Sequence, residues 1–101
     1  MPPLKAYGFH PDAQLELLEA GYYYAEESPR LSERFHEEMD GLVREICERP
    51  GLRRMFDPPA RRHFGNTFPY ALIYVDEPDM VRIIAVMHFK QRPGYWRHRL
   101  G

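Results

Sequence analysis

Apolar residues recur every three or four positions through the middle of the first half of the chain. The stripe consists of Leu31, Phe35, Met39, Leu42 and Ile46. This spacing places the five side chains on one face of an α-helix. A Pro-Gly pair at positions 50 and 51 is a typical helix end. We therefore predict a helix over residues 30–48.

A second helical pattern precedes this one. It begins at His10-Pro11-Asp12, because proline at the first helical position lacks only an N–H that has no partner there. The predicted apolar face consists of Leu15, Leu18, Tyr22 and Ala25. Gly21 weakens a helix by about 1 kcal/mol relative to Ala, so we expect a close contact with another helix there. Ser28-Pro29 separates the two helices, which predicts an αα-hairpin.

Four segments have the composition of β-strands: residues 4–9, 61–64, 68–75 and 80–89. Residues 51–60 are predicted to form a loop and residues 76–79 a turn. The last strand is apolar on both faces, as expected at the centre of a sheet. The order β-α-α-β-β-β predicts an α+β fold in which the helical hairpin packs on a small, mainly antiparallel sheet. We expect residues 1–101 to form a single domain.

Composition and charge fit a small globular protein with two unlike halves. The chain is 44% hydrophobic and has a net charge of -1. Residues 1–50 contain 5 Lys/Arg and 11 Asp/Glu, a balance of -6, and residues 51–101 contain 9 and 4, a balance of +5. A basic half of this kind favours an acidic partner, either nucleic acid or an acidic protein segment.

Several classes of function lack any signal. The single cysteine, Cys47, cannot form an internal disulfide, which indicates a reducing compartment, and we expect it to be a small buried apolar residue. We see no signal-peptide pattern and no membrane-spanning run, so we expect a cytoplasmic protein. The five histidines show no metal-binding spacing, and there is no glycine-rich phosphate loop. We expect no metal and no cofactor.

The candidate chemistry lies in a cluster of basic and aromatic residues. It consists of Arg61, Arg62, His63, His88, Lys90, Arg92, Tyr95, Trp96, Arg97 and Arg99. If the short strand lies near the end of the last strand, these residues surround one concave surface. Arg and Lys neutralise phosphates and aromatic rings stack on bases. His, Tyr or Lys can also move a proton during RNA cleavage, while Arg stabilises the phosphorane.

Five members of the cluster also have a structural interpretation. Tyr95 and Trp96 would form a hydrophobic latch that folds the tail onto the sheet. His88 would cap the end of the strand or form a hydrogen bond within the sheet. Arg97 and Arg99 would be solvated charges.

Longer segments of the chain resemble the RelE/ParE superfamily of type II toxins. They are SPRLSERFHEEMDGLVREICERPG and FPYALIYVDEPDMVRIIAVMHFKQRPGYWRHR, and the resemblance covers about residues 4–100. It implies a small bacterial toxin that inhibits growth, serves in plasmid stabilisation and is neutralised by a cognate antitoxin. It also implies that an acidic or amphipathic antitoxin segment binds the basic half, with Arg97 and Arg99 as ion-pair partners.

The superfamily divides by target. RelE-like members cleave mRNA on the ribosome, whereas ParE-like members poison DNA gyrase without a nuclease site. RelE-like members often carry an arginine at the position of Ala71, so this residue weakens the nuclease interpretation. The ending AVMH at His88 is similar to the ParE-like branch, whereas Tyr95 matches a tyrosine used by RelE-like members.

We interpret the chain as a toxin that binds DNA gyrase. The alternative is a ribosome-dependent mRNA endoribonuclease, and a further alternative is a non-toxic interaction module of the same fold. For a nuclease, the catalytic candidates are Tyr95, His88, Lys90, Arg92 and Arg61.

Overall fold

The structure, a computed structural model, describes residues 4–101 and has the predicted order of elements. The elements are β1 (Tyr7–Phe9), α1 (Pro11–Glu27), α2 (Pro29–Glu48), β2 (Arg61–Phe64), β3 (Tyr70–Asp76) and β4 (Val81–His88), followed by a 3₁₀ helix (Arg97–Leu100). Pro11 and Pro29 both occupy the first turn of their helices, where a missing N–H costs nothing. The α+β fold predicted from the sequence is confirmed.

The four strands form one sheet in the order β1-β4-β3-β2. β1 runs parallel to β4, and the other two pairings are antiparallel. β1 is shorter than the predicted segment 4–9, because only Tyr7–Phe9 pairs, with residues 81–83 of β4. Within residues 4–101, the outer edge of β4 beyond Ile83 therefore has no strand beside it.

Helix α2 covers one face of the sheet with the predicted stripe. Phe35, Met39, Leu42 and Ile46 are buried, and Leu31 packs against them. Cys47 is buried beside them, as expected, and burial raises the pKa of its thiol. This helix and the inner face of the sheet form the main core.

The predicted core face of α1 is wrong. The helix packs through Ala13, Leu17, Ala20 and Tyr24, and the predicted face, Leu15, Leu18, Tyr22 and Ala25, is exposed. The reason is that α1 carries two apolar stripes on opposite sides, and the sequence pattern identifies the outer one.

The close helix contact expected at Gly21 is confirmed. Ser32 Oγ donates a hydrogen bond of 2.8 Å to the Gly21 carbonyl. A Cβ atom at position 21 would overlap the ring of His36. Glycine at this position therefore allows α1 and α2 to approach each other.

The other face of the sheet is covered by the C-terminal tail, the segment 89–101 that follows β4. Trp96 is 1% exposed and packs on Ala60, Ile73, Ile84 and Ala85. Gly94 turns the chain with a φ of 77°, a conformation that glycine adopts without strain. The predicted latch is confirmed, and it provides the second, smaller core of the protein.

Candidate functional site

The tail is fastened to the rest of the molecule by Glu16 of α1. Its carboxylate accepts two hydrogen bonds from Arg99, of 2.9 and 3.0 Å, and one of 2.7 Å from the Tyr95 hydroxyl. It also accepts a bond of 3.0 Å from the backbone N–H of Val86. Arg99 in turn donates to the carbonyl of Ile84. Side chains thus satisfy two backbone groups, the Ile84 carbonyl and the Val86 N–H, on the edge of β4 that β1 does not reach.

Arg99 is therefore a buried structural residue. Its side chain is 7% exposed, with Asp12 a further acidic neighbour at 3.8 Å. The hydrogen bonds that Arg99 donates to Glu16 raise the pKa of the guanidinium above its ordinary value. The expectation that Arg99 is a solvated charge is wrong, because the edge of β4 offers it a carboxylate and a carbonyl.

The Tyr95 hydroxyl belongs to the same hydrogen-bond network around Glu16. Burial is the main cause that raises the pKa of its hydroxyl, and the hydrogen bond to Glu16 adds to it. A tyrosine that accepts a proton from an attacking hydroxyl must first be ionised. The contact with a carboxylate opposes that ionisation, so the geometry makes Tyr95 a poor general base.

Stability should fall steeply as the pH rises above about 10. Burial raises the pKa of Tyr70 to about 12, and that of Tyr95 is raised as well, while unfolded tyrosines ionise near 10.0. A raised pKa means that the unfolded state releases its protons first, so deprotonation favours unfolding.

Urea denaturation at about pH 9 and about pH 11 measures this loss. Tyr95→Phe should show a smaller loss between the two pH values, and the exposed control Tyr22→Phe should keep the wild-type loss. Equal losses in all three proteins would contradict the burial of an un-ionised Tyr95.

Strand β2 separates the basic residues that the sequence groups together. Arg61 and His63 point to the helical side, where His63 lies 2.9 Å from Glu45 and Arg61 donates to the Arg53 carbonyl. Arg62 points to the other side, with its guanidinium 4.2 Å from the centroid of the Phe56 ring. The alternation follows from the pleat of a strand.

Arg61 also lies far from the tail along the sheet. It pairs with Tyr74 of β3, whereas His88 pairs with Tyr70. Four residues of strand separate the two positions by roughly 13 Å. The expected single concave surface is therefore not formed by Arg61, His88 and Tyr95.

His88 ends β4, as one of the two structural interpretations predicted. Its Nδ1 accepts a hydrogen bond of 3.0 Å from the Lys90 backbone N–H. The ring packs edge-on against Tyr70 at 5.0 Å and lines a hollow of about 320 Å³ with Glu16, Glu19, Tyr23 and Tyr95. This position caps the strand.

A larger hollow of about 500 Å³ lies on the side of the sheet away from the helices. We call it the open-face hollow. Its lining includes Phe56, Arg62, Phe64, Met87, Phe89, Pro93, Trp96 and Arg97. Phe64 and Phe89 are each 48% exposed and touch edge to face. Sequence reasoning missed the three phenylalanines, although the alternation along β2 already places Phe64 beside Arg62.

The basic residues of the cluster fall into two groups. One group is bonded within the chain: Arg97 binds Asp57 at 2.6 Å, His63 pairs with Glu45, Arg99 pairs with Glu16, and Arg61 donates to the Arg53 carbonyl. Arg62, Lys90 and Arg92 are exposed and form no ion pair with any residue in the range 4–101. These three cations are therefore free to meet an acidic partner. Arg62 lines the open-face hollow, and Lys90 and Arg92 are chain neighbours of its lining residues Phe89, Gln91 and Pro93.

Neither a metal centre nor a membrane span occurs in the described part of the chain. Across residues 4–101, no three His, Cys, Asp or Glu side chains are arranged to hold a metal ion. No helix in the same range has the length and apolar character needed to cross a membrane.

The fold and this surface define a small α+β protein with a helical hairpin, a mixed sheet and a basic aromatic tail. A family model described as "ParE toxin of type II toxin-antitoxin system, parDE" matches residues 7–93. The chain belongs to this family of toxins, which confirms the resemblance seen in the sequence and its ParE-like branch. No curated protein matches the chain significantly.

A solved structure shares the fold. It is described as "Chromosomal ParDE TA system from P. aeruginosa" and superimposes with a TM-score of 0.75 at 11% identity. The match covers 86% of this chain and 98% of the other. At this low identity the likeness concerns the arrangement of helices and strands.

Proposed function

We propose that this toxin inhibits bacterial growth by binding DNA gyrase. The observation that carries the proposal is the hydrogen bond of 2.7 Å from the Tyr95 hydroxyl to Glu16. This bond engages the hydroxyl of Tyr95, the residue that matches a tyrosine used by RelE-like nucleases. What the cluster offers instead is an exposed surface for binding.

Two further observations support a binder over a nuclease. Arg61 donates to backbone carbonyls of the loop after α2 and holds that loop. Ala71 is fully buried where RelE-like toxins often have an arginine. The ribosome-dependent endoribonuclease is therefore the weaker proposal.

The contact surface for gyrase, or for its complex with DNA, consists of Arg62, which lines the open-face hollow, and of Lys90 and Arg92, which adjoin its lining residues Phe89, Gln91 and Pro93 in the chain. The exposed rings of Phe64 and Phe89 lie within this surface. Exposed aromatic rings and arginines are the residue types enriched at protein interfaces. An acidic partner surface would pair with the three cations.

We also propose that a cognate antitoxin binds this toxin in the cytoplasm. The family description and the similar structure both refer to toxin–antitoxin systems. An antitoxin segment with acidic and apolar residues suits the open-face hollow, because it supplies partners for Arg62, Lys90 and Arg92. Antitoxin and gyrase would then compete for one surface. Arg97 and Arg99 are paired within the chain, which weakens the expectation that they pair with the antitoxin.

The double variant Lys90→Glu, Arg92→Glu should inhibit gyrase at least about tenfold more weakly than the wild type. Both side chains are exposed and unpaired, so the change removes target contacts and leaves the fold intact. DNA supercoiling by purified gyrase, assayed over a range of toxin concentrations, measures the effect.

Arg34→Glu, Arg44→Glu provides the matched control, because it makes the same charge change on the exposed side of α2. This control should inhibit like the wild type. Equal loss in both double variants would mean that overall charge decides inhibition. Failure of the wild-type protein to inhibit gyrase at all would refute the proposal.

A further inference from the structure

Helix α1 carries a second apolar stripe that the fold does not use. Leu15, Leu18 and Tyr22 are 55%, 42% and 69% exposed. Their spacing of three and four residues places them on one face. That face is opposite the residues that pack on the sheet, Ala13, Leu17, Ala20 and Tyr24.

An amphipathic helix needs only one apolar stripe to pack on its own core. Scattered exposed apolar residues are ordinary, but aligned neighbours on one helix face form a continuous patch, and such patches mark binding sites. None of the three residues lines the open-face hollow or the hollow beside His88. The outer stripe is thus a surface separate from the one proposed for gyrase.

The charge around the outer stripe restricts what can cover it. Helix α1 contains five acidic residues, Asp12, Glu16, Glu19, Glu26 and Glu27, and no Lys or Arg. Glu16 is neutralised by Arg99. Glu19 and Glu26 each follow a stripe residue by one turn, are exposed, and have no ion-pair partner within residues 4–101.

These charges argue against two obvious occupants. A second copy of the protein packed through α1 would place acidic residues opposite acidic residues, which is unfavourable. Nucleic acid would be repelled by the same carboxylates. A protein helix with its own apolar stripe and flanking Lys or Arg would satisfy both the apolar and the acidic groups.

We propose that the outer stripe of α1 is a docking surface for a basic amphipathic protein helix. Apolar side chains of the partner pack on Leu15, Leu18 and Tyr22. Its cations pair with Glu19 and Glu26. The toxin therefore has two recognition surfaces of opposite charge: a basic one at the tail and an acidic one on α1.

The probe is a designed, fluorescein-labelled peptide amide of about 18 residues, with Leu at helical spacing and Lys at the other positions. Fluorescence anisotropy should show saturable binding to the wild-type toxin. Leu15→Glu, Leu18→Glu should weaken this binding at least about tenfold. The control Leu52→Glu should bind normally, since Leu52 is an exposed leucine outside the helices.

A second variant, Glu19→Lys, Glu26→Lys, leaves the apolar residues in place and tests the charges. It should weaken binding of the Lys peptide several-fold and strengthen binding of a peptide with Glu in place of Lys. Because these side chains are exposed, the variant should keep its circular dichroism spectrum and urea midpoint.

Three results would overturn the proposal. The first is peptide binding that both double variants leave unchanged. The second is the absence of saturable binding to the folded wild-type protein. The third is a wild-type dimer in sedimentation that Leu15→Glu, Leu18→Glu dissociates, because a second copy would then occupy the stripe. None of these measurements involves gyrase, so the two proposals are tested independently.

Discussion

Replacing Trp96 with alanine is expected to lower the free energy of unfolding by about 3–5 kcal/mol. The indole is almost completely buried between the sheet and Phe56, whose ring centroid lies 5.8 Å away. Its removal leaves a cavity in the smaller core, which contains few other large side chains. Small domains have a total stability of about 5–15 kcal/mol, so this single change removes a large part of it.

Urea denaturation followed by circular dichroism measures this loss. Phe89→Ala is the matched control, because it removes a half-exposed aromatic side chain from the start of the same tail. The control should cost about 1 kcal/mol or less. A Trp96→Ala protein as stable as the control would mean that the tail does not pack on the sheet.

Replacing Glu16 with alanine is expected to cost about 3 kcal/mol, because it leaves a buried guanidinium without its carboxylate. The change also removes the acceptor for the Tyr95 hydroxyl and the Val86 N–H. We place the loss at the low end for buried pairs, since the Glu16 side chain is still 21% exposed and water can replace part of the interaction.

A double variant that removes both charges tests whether the loss in Glu16→Ala comes from the unpaired guanidinium. In Glu16→Leu, Arg99→Met, no buried charge lacks a partner, so the double variant should regain much of the stability lost in Glu16→Ala. Glu19→Ala is the control, because Glu19 is also a glutamate of α1 but is exposed. It should change the free energy of unfolding by less than about 0.5 kcal/mol. If the losses measured in the single variants Glu16→Leu and Arg99→Met simply add up in the double variant, the two residues do not interact.

Local patterns in the sequence predicted the elements of this fold well. The stripe of α2 and the proline starts of both helices depend on neighbours in the chain. The order of the strands along the chain also followed from local turns. These features are determined by residues a few positions apart, and sequence spacing reports them directly.

Features that depend on distant residues were predicted less well. The two stripes of α1 are equally periodic, and only the sheet decides which one is buried. The pairing of Arg99 with Glu16 joins residues at opposite ends of the chain, so no local pattern reveals it. The separation of Arg61 and Arg62 onto opposite faces, by contrast, follows from the alternation of a strand and could have been predicted.

These placements change the meaning of the basic cluster. Tyr95, Trp96 and Arg99 build the tail, while Arg62, Lys90 and Arg92 remain available to a partner. Under our proposal, a toxin with this arrangement inhibits its target by binding it, without cleaving RNA.

Pulse labelling of DNA and protein synthesis after induced expression in bacteria tests this account most directly. Gyrase inhibition predicts that DNA synthesis fails first, within minutes, accompanied by a DNA-damage response, while protein synthesis continues. If protein synthesis stops first while DNA synthesis continues, the toxin acts on translation, and the gyrase proposal is wrong.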